Sequence, residues 1–335
     1  MSTLADYPDL NVCGIYDKIP ERTALLSGNY GHRAYEDLEQ LLTDERVTIV
    51  LNLTNPGSHY DINRRILEAG KHIYSEKPLA MDLEQAMELY HLARSRGLMI
   101  TSAPCSLLGE QAQTMWKAIR DEVIGDVWLV YAEMDEGPVH LMEPEKWRSA
   151  SGIPWPVNDE FEVGCTLEHS GYFLPWLVAW FGPAKNVSAF SSCRIPDKET
   201  KEPLNPPDTP DFSVATIKFE SGVVARLTCS IMAEHNHELK VYGDKGIIAL
   251  DECWNYGSPV RVQYYDKRAM NGQKHPFVRR SPLLKRLYGL RWEKLPFVKE
   301  PDPRSKWQGR RPTLYFMDFA RGVHELARSI KEERT

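Results

Sequence analysis

The chain has 335 residues, 42% of them hydrophobic and 26% charged, with a formal net charge of −6. That length can bury a sizeable core and favours two domains over one, while the acidic balance and the scattered basic pairs Arg279-Arg280, Lys285-Arg286 and Arg310-Arg311 argue against a nucleic-acid partner. The most apolar stretch, 172–181, contains Pro175 and is too short to cross a bilayer; no secretory pattern opens the chain, and six cysteines without paired spacing fit a reducing, cytoplasmic setting.

Residues 9–17 read as an apolar strand ending in the acidic Asp17, and Pro20-Glu21-Arg22 opens a helix with proline at an early position. Residues 36–42 have helical spacing. The β-branched run 47–54 is of the kind that a parallel strand covered on both faces requires. A polar loop, Asn55-Pro56-Gly57-Ser58-His59, leads to a helical pattern over 60–70 that stops at Gly70. Next comes the buried strand His72-Ile73-Tyr74, followed at once by Ser75-Glu76-Lys77-Pro78. Strand, loop, helix and strand make one βαβ crossover, and its polar residues sit at a strand's carboxyl end, where open α/β sheets bind ligands. A helix over 82–97 and a strand over 98–101 continue the alternation, which predicts a doubly wound parallel sheet.

Glu68-Ala69-Gly70-Lys71-His72 followed by Glu76-Lys77-Pro78 resembles the signature of the glucose-fructose oxidoreductase and inositol dehydrogenase family, the Gfo/Idh/MocA proteins. The resemblance continues through most of the chain. It implies a Rossmann-like α/β domain, an NAD or NADP cofactor, and hydride transfer to or from a hydroxyl or carbonyl carbon of a sugar, polyol or related cyclic compound. It also implies that both ends are incomplete. Relatives open with a strand and a glycine-rich turn ahead of the strand at Val12, and continue into a further helix past the C-terminus. No Gly-x-Gly-x-x-Gly occurs in this sequence, so the backbone N–H groups that such a turn presents to a pyrophosphate are not identified.

Beyond about Gly125 the pattern changes. Runs rich in Val, Tyr and Thr at 127–134, 186–194, 212–219, 223–232, 239–242 and 260–265 read as strands, with Ser221-Gly222 and Asp244-Lys245-Gly246 as turns. They predict an α+β domain with an antiparallel sheet, carrying a helix over 166–181 and a proline-rich loop over 202–210. The stretch 267–311 reads as a surface arm, a partner contact or disorder, and 314–335 as a helix with a charged end. The division is an incomplete dinucleotide-binding domain, 1–104, and a substrate and oligomerisation domain, 105–335, whose sheet would join copies into a homo-oligomer.

Lys77 is the central candidate, an ammonium that can polarise a substrate oxygen and assist proton transfer if partial desolvation lowers its pKa. Relatives carry an Asp and, four residues later, a His on the helix before Phe181-Gly182; the matching positions here are Glu168 and Tyr172, a spacing that puts both on one helix face. Some relatives use a lysine and tyrosine pair, so Tyr172 would exchange the proton with its pKa lowered by Lys77, and Glu168 would orient or polarise one of the two. The alternative for Tyr172 is a core aromatic with its hydroxyl satisfied. His169, one residue off that face, reads as a satisfied core or interface histidine, or as the working base if the helix is rotated, and Trp176 and Trp180 read as core. Asp17 is placed for adenosine ribose hydroxyls, although Lys18 could attract a 2′-phosphate. Thr54, Asn55, Pro56 and His59 occupy the loop where relatives contact the cofactor, and Glu76 and Lys77 face the nicotinamide. His140, Trp147, Arg148 and Trp155 could hold a sugar ring. Glu234-His235-Asn236-His237-Glu238 could place alternate residues together, but without a third ligand at recognisable spacing no metal is assigned. The rival reading is a non-catalytic ligand-binding or oligomer-forming protein.

Overall fold

The computed structural model describes residues 3–149, 151–299 and 317–334. Proline at the first position and Glu21 in the first turn start α1 (Pro20–Tyr30), and Gly31 ends it at φ 69°. Asp37 caps α2 (Leu38–Thr43) by accepting the Gln40 N–H at 2.7 Å. β1 (Ile49–Asn52), α3 (His59–Glu68) and β2 (His72–Ser75) form the expected parallel crossover, and α4 (Leu83–Ser95) leads to β3 (Ile100–Ser102). Asp82 caps α4 through the Gln85 N–H at 2.8 Å. The strand order is β1-β2-β3, so β2 is central, and Ile73 is fully buried with Val50, Ile66, Leu67 and Leu89.

Two expectations for this layer change. Residues 9–17 form no ladder strand but make one parallel bridge, Ile15 to Ala34, held by the Ile15 N–H donating to Arg33 O and the Tyr35 N–H donating to Ile15 O. The 47–54 run is covered on one face only: β1 is an edge strand whose Val50 and Asn52 are buried while Leu51 and Leu53 are 40% and 66% exposed.

α5 (Glu110–Arg120), which the sequence reading passed over, connects to β4 (Val127–Asp135). Then follow α6 (Val157–His169), α7 (Leu174–Phe181), β5 (Ala184–Ser192), β6 (Phe212–Phe219), β7 (Val224–Ser230), β8 (Leu239–Gly243), β9 (Gly246–Leu250) and β10 (Arg261–Tyr264). The stretch expected to be an irregular arm folds instead into α8 (Lys267–Gly272), α9 (Pro276–Arg280) and α10 (Pro282–Leu287), then β11 (Glu293–Lys294); its residues 300–311 lie outside the described residues. The second sheet has the order β11-β10-β9-β8-β4-β7-β6-β5. It is mixed rather than wholly antiparallel, since β4 and β7 run parallel. Hairpins give antiparallel neighbours, but β7 reaches β4 only after α6, α7, β5 and β6 have carried the chain across, which allows the parallel pairing.

One face of that sheet packs Val130, Met134, Ala225, Leu227 and Ile248 against Phe173, Trp176 and Leu177. Trp176 is fully buried, as its helical spacing implied, and truncating such a side chain costs about 3–5 kcal/mol. α11 (Ala320–Lys331) returns to the first sheet, where Val323 and Leu326 cluster with Tyr74. Gly322 permits this approach: a Cβ there would lie 2.6 Å from the Tyr74 ring. Arg321 ties the helix to Glu110 at 3.0 Å. Among the described residues no helix is long and apolar enough to cross a membrane.

Candidate active site

The carboxyl edge of the three-stranded sheet is built by backbone bonds. The Glu76 N–H donates to Asn52 O and the Ala103 N–H to Ser75 O, both at 2.8 Å, which fixes the Glu76-Lys77-Pro78 turn between the ends of β1 and β3. Behind it, Asn52 Nδ2 donates to Asn63 Oδ1 at 2.9 Å, and Asn63 Nδ2 to Ser75 Oγ at 3.0 Å. His59 is fully buried, with Nδ1 2.6 Å from Pro78 O and Nε2 2.8 Å from Thr54 O. Both ring nitrogens are thus occupied by carbonyls, and His59 braces two strand-end loops instead of offering a ring nitrogen to a cofactor.

The second half of the site comes from α6, whose backbone breaks at Gly164 with φ 75° and ψ 152°. At the break the Cys165 N–H leaves the helical ladder and donates to Pro210 O at 2.8 Å. Past the break, the expected single helix over 166–181 is three pieces: the end of α6, a 3₁₀ turn at Ser170–Tyr172, and α7. The break sets where the carboxylates of α6 point. Lys77 Nζ lies 3.2 Å from Glu160 Oε2 and hydrogen-bonds Glu168 Oε1, with all three side chains largely buried. On its far side Glu168 Oε2 is 2.6 Å from His169 Nε2, and that nitrogen is 3.7 Å from Glu136 Oε1.

The electrostatics follow from this chain of charges. Burial alone would push Lys77 down, but Glu168, Tyr172 and Glu160 carry its pKa above the ordinary lysine value. The expected depression is thus reversed, and Lys77 is a locked ammonium. Burial would raise Glu168, yet His169 and Lys77 hold it well below the usual carboxylate range. His169, whose pKa burial would lower, is raised by Glu168. Glu160 goes the other way: burial and the neighbouring Glu168 outweigh Lys77, and its pKa rises to about 7. Tyr172 is raised well above a normal phenol by burial, with Lys77 only partly opposing. The phenol therefore stays neutral, contrary to the expected lowering by Lys77; its ring packs 5.2 Å from Trp254.

Of the other predicted residues, Thr54 is exposed, with Oγ1 donating to Asn52 Oδ1 at 2.8 Å; Asn55 is half-buried and Pro56 buried in a short turn that packs against α6. Glu76 turns back to accept the Lys77 N–H at 3.1 Å. Asp17 accepts the Ile19 N–H at 2.9 Å, and its Oδ2 stands 3.9 Å from Arg22. Trp147 and Trp155 pack on each other with centroids 5.0 Å apart, and Trp155 turns to Phe161 of the core. His140 and Arg148 line a separate cavity of about 500 Å³ with Lys146 and Lys201. The sequence did not single out Glu160; its only signal was the acidic pair Asp159-Glu160 just past Pro156 at a helix start.

A Rossmann-type parallel layer meets a mixed β-sheet domain, with a buried lysine and carboxylate centre at the carboxyl edge of the parallel layer. Residues 2–103 match the model described as "Oxidoreductase family, NAD-binding Rossmann fold", and residues 112–249 match the GFO/IDH/MocA C-terminal domain. The chain belongs to the Gfo/Idh/MocA family. It is 27% identical over 257 residues to an uncharacterized oxidoreductase, sll0816, of Synechocystis, covering 69% of this chain and 62% of the relative. It is 24% identical over 261 residues to an inositol 2-dehydrogenase/D-chiro-inositol 3-dehydrogenase of Lactiplantibacillus plantarum, covering 76% and 68%. The chain thus spans about two thirds of the length of these relatives. The fold matches the crystal structure of aldose-aldose oxidoreductase from Caulobacter crescentus with a TM-score of 0.72, 18% identity, and coverage of 100% of this chain and 85% of that one.

A nicotinamide dinucleotide is the group this family implies, and the sheet edge fits part of it. The Asp17 carboxylate, bonded to the Ile19 N–H, keeps further acceptor capacity, and Thr54, Asn55, Glu76 and Lys77 follow the carboxyl ends of β1 and β2. No described segment supplies a glycine-rich pyrophosphate turn.

Proposed function

We propose that this protein is an NAD(P)-dependent oxidoreductase acting between the CH–OH and C=O states of a sugar, polyol or related cyclic compound. The observation that carries this reading is one ammonium, Lys77, clamped by Glu160 and Glu168 at the carboxyl edge of a parallel sheet. Asp17 would hold the adenosine ribose, Thr54, Asn55 and Pro56 the middle of the dinucleotide, and Glu76 and Lys77 the nicotinamide side, with His59 bracing the loops. Bound there, NAD or NADP supplies the hydride chemistry.

The protein's own groups handle the proton. Lys77, kept charged by Glu168, polarises the substrate oxygen, and neutral Tyr172 donates a hydrogen bond to it. Glu160, poised near pH 7, takes the hydroxyl proton from the Lys77 side in the oxidative direction and returns it in reduction. Reduced nicotinamide formed from NAD+ or NADP+ with a panel of sugars and polyols tests the reading. Turnover should collapse in Lys77→Ala; full retention removes the mechanism.

The alternative reading is a ligand-binding or oligomer-forming relative without catalysis. Calorimetric titration with NAD+ and NADPH separates the two, since heat of binding is required only by the first. We also propose the division into residues 1–104 and 105–335, with α11 returning to cover the first sheet, and self-association through the second sheet, which exposes Trp128, Val187 and Phe190. Light scattering that reports a monomer counts against the latter. Six free cysteines support a reducing, cytoplasmic location.

A further inference from the structure

Four side chains that the proposed chemistry leaves unused converge beside it. His235 and His237 lie two residues apart on the extended segment that enters β8, so their rings fall on one side of the backbone, with centroids 4.1 Å apart. Glu136 follows the end of β4, and Glu252 lies just past β9. His237 is buried between them, Nε2 2.9 Å from Glu136 Oε1 and Nδ1 2.9 Å from Glu252 Oε1, while His235 Nε2 is 3.2 Å from Glu252 Oε2. One ligand atom from each of Glu136, His235 and His237 lies within 4.8 Å of the other two.

We propose that Glu136, His235 and His237 bind a divalent transition-metal ion, with Glu252 behind His237. Three kinds of argument support it. The donors are two imidazoles and a carboxylate, a set that suits Zn²⁺ and its first-row neighbours, whereas Mg²⁺ and Ca²⁺ favour oxygen alone. The two carboxylates bring two negative charges to a largely buried corner, which a dication balances in place of an imidazolium. The geometry also contains the usual outer support: with Nε2 turned to the ion, the Nδ1–H of His237 donates to Glu252, the carboxylate that fixes a ligating histidine's tautomer and orientation. His235, its side chain 37% exposed, gives the ion a way in from solvent. Glu136 is also the residue 3.7 Å from His169 Nε2, so the ion would sit against the wall of the Lys77 site.

The sequence alone could not assemble this set, because Glu136 and His237 are 101 positions apart. The test uses the whole chain, stripped by chelator and titrated with Zn²⁺ by calorimetry and with Co²⁺ by visible absorption. One ion per chain, with Co²⁺ bands of a low-coordinate site, is expected. His235→Ala and Glu252→Gln should each weaken binding about tenfold or more. His237→Ala can fail through lost packing, so partly exposed His235 and Glu252 carry the test, with melting temperatures confirming intact folding. Absence of stoichiometric binding, Co²⁺ that keeps its aqueous spectrum, or an affinity unmoved by both substitutions overturns the proposal.

Discussion

Glu160 and Glu168 hold the same ammonium from opposite sides of a break in one helix: Lys77 Nζ is 3.2 Å from Glu160 Oε2 and hydrogen-bonded to Glu168 Oε1. Eight residues on an unbroken helix turn through about 800°, leaving the two side chains roughly 80° apart around the axis. The non-helical Gly164 between them lets each half aim separately.

Gly164→Ala should therefore be costly. Its φ of 75° and ψ of 152° lie where side-chain-bearing residues are strained, and a Cβ would come 3.1 Å from Thr209 Cβ and Pro210 Cδ. A loss on the order of 1–3 kcal/mol is expected in denaturant unfolding, together with lower turnover. An unchanged midpoint would show that the break is not needed.

Glu160→Gln should remove a pH dependence. With its pKa at about 7 against an ordinary 4.5, Glu160 is protonated below that value in the folded protein and charged above it. As the proton acceptor it makes alcohol oxidation rise with pH through about 7 and level off; the amide should flatten that limb. The stability effect has the opposite slope: the native state binds the proton more tightly than the unfolded chain, so rising pH between about 4.5 and 7 costs stability in the parent and not in Glu160→Gln. A rate limb that survives in the variant would assign it to another group.

Lys77→Met strands Glu160 and Glu168 together in a largely buried site. A loss of about 3–5 kcal/mol is expected from uncompensated buried charge, and a fall in turnover of about 10²–10⁴-fold from the missing ammonium. Adding Glu168→Gln to Lys77→Met should recover part of the stability and none of the rate. Recovery of both would mean that Lys77 serves the fold alone.

Tyr172→Phe tests a neutral donor against a proton-exchanging phenolate. Because burial holds the phenol well above its ordinary pKa, the substitution should lower turnover roughly tenfold to a hundredfold, the worth of one hydrogen bond to a developing charge. The shape of the pH profile should not change. A limb lost with the hydroxyl would restore Tyr172 as the titrating group.

Elements whose evidence is local could be read from the residues. The periods of α3 and α4, the glycines that close them, the buried run of β2 with Glu76-Lys77-Pro78 behind it, and most strands of the second sheet were legible because each is specified within a dozen residues. Which segments meet came from the folded chain. Lys77 finds Glu160 and Glu168 at separations of 83 and 91 residues, β7 lies parallel to β4, and His237 closes between Glu136 and Glu252. The physical reason is that contacts between distant segments, and the pKa values they set, depend on how helices and sheets dock and on a backbone break such as that at Gly164. Periodicity records which face of an element is buried, but not which partner covers it.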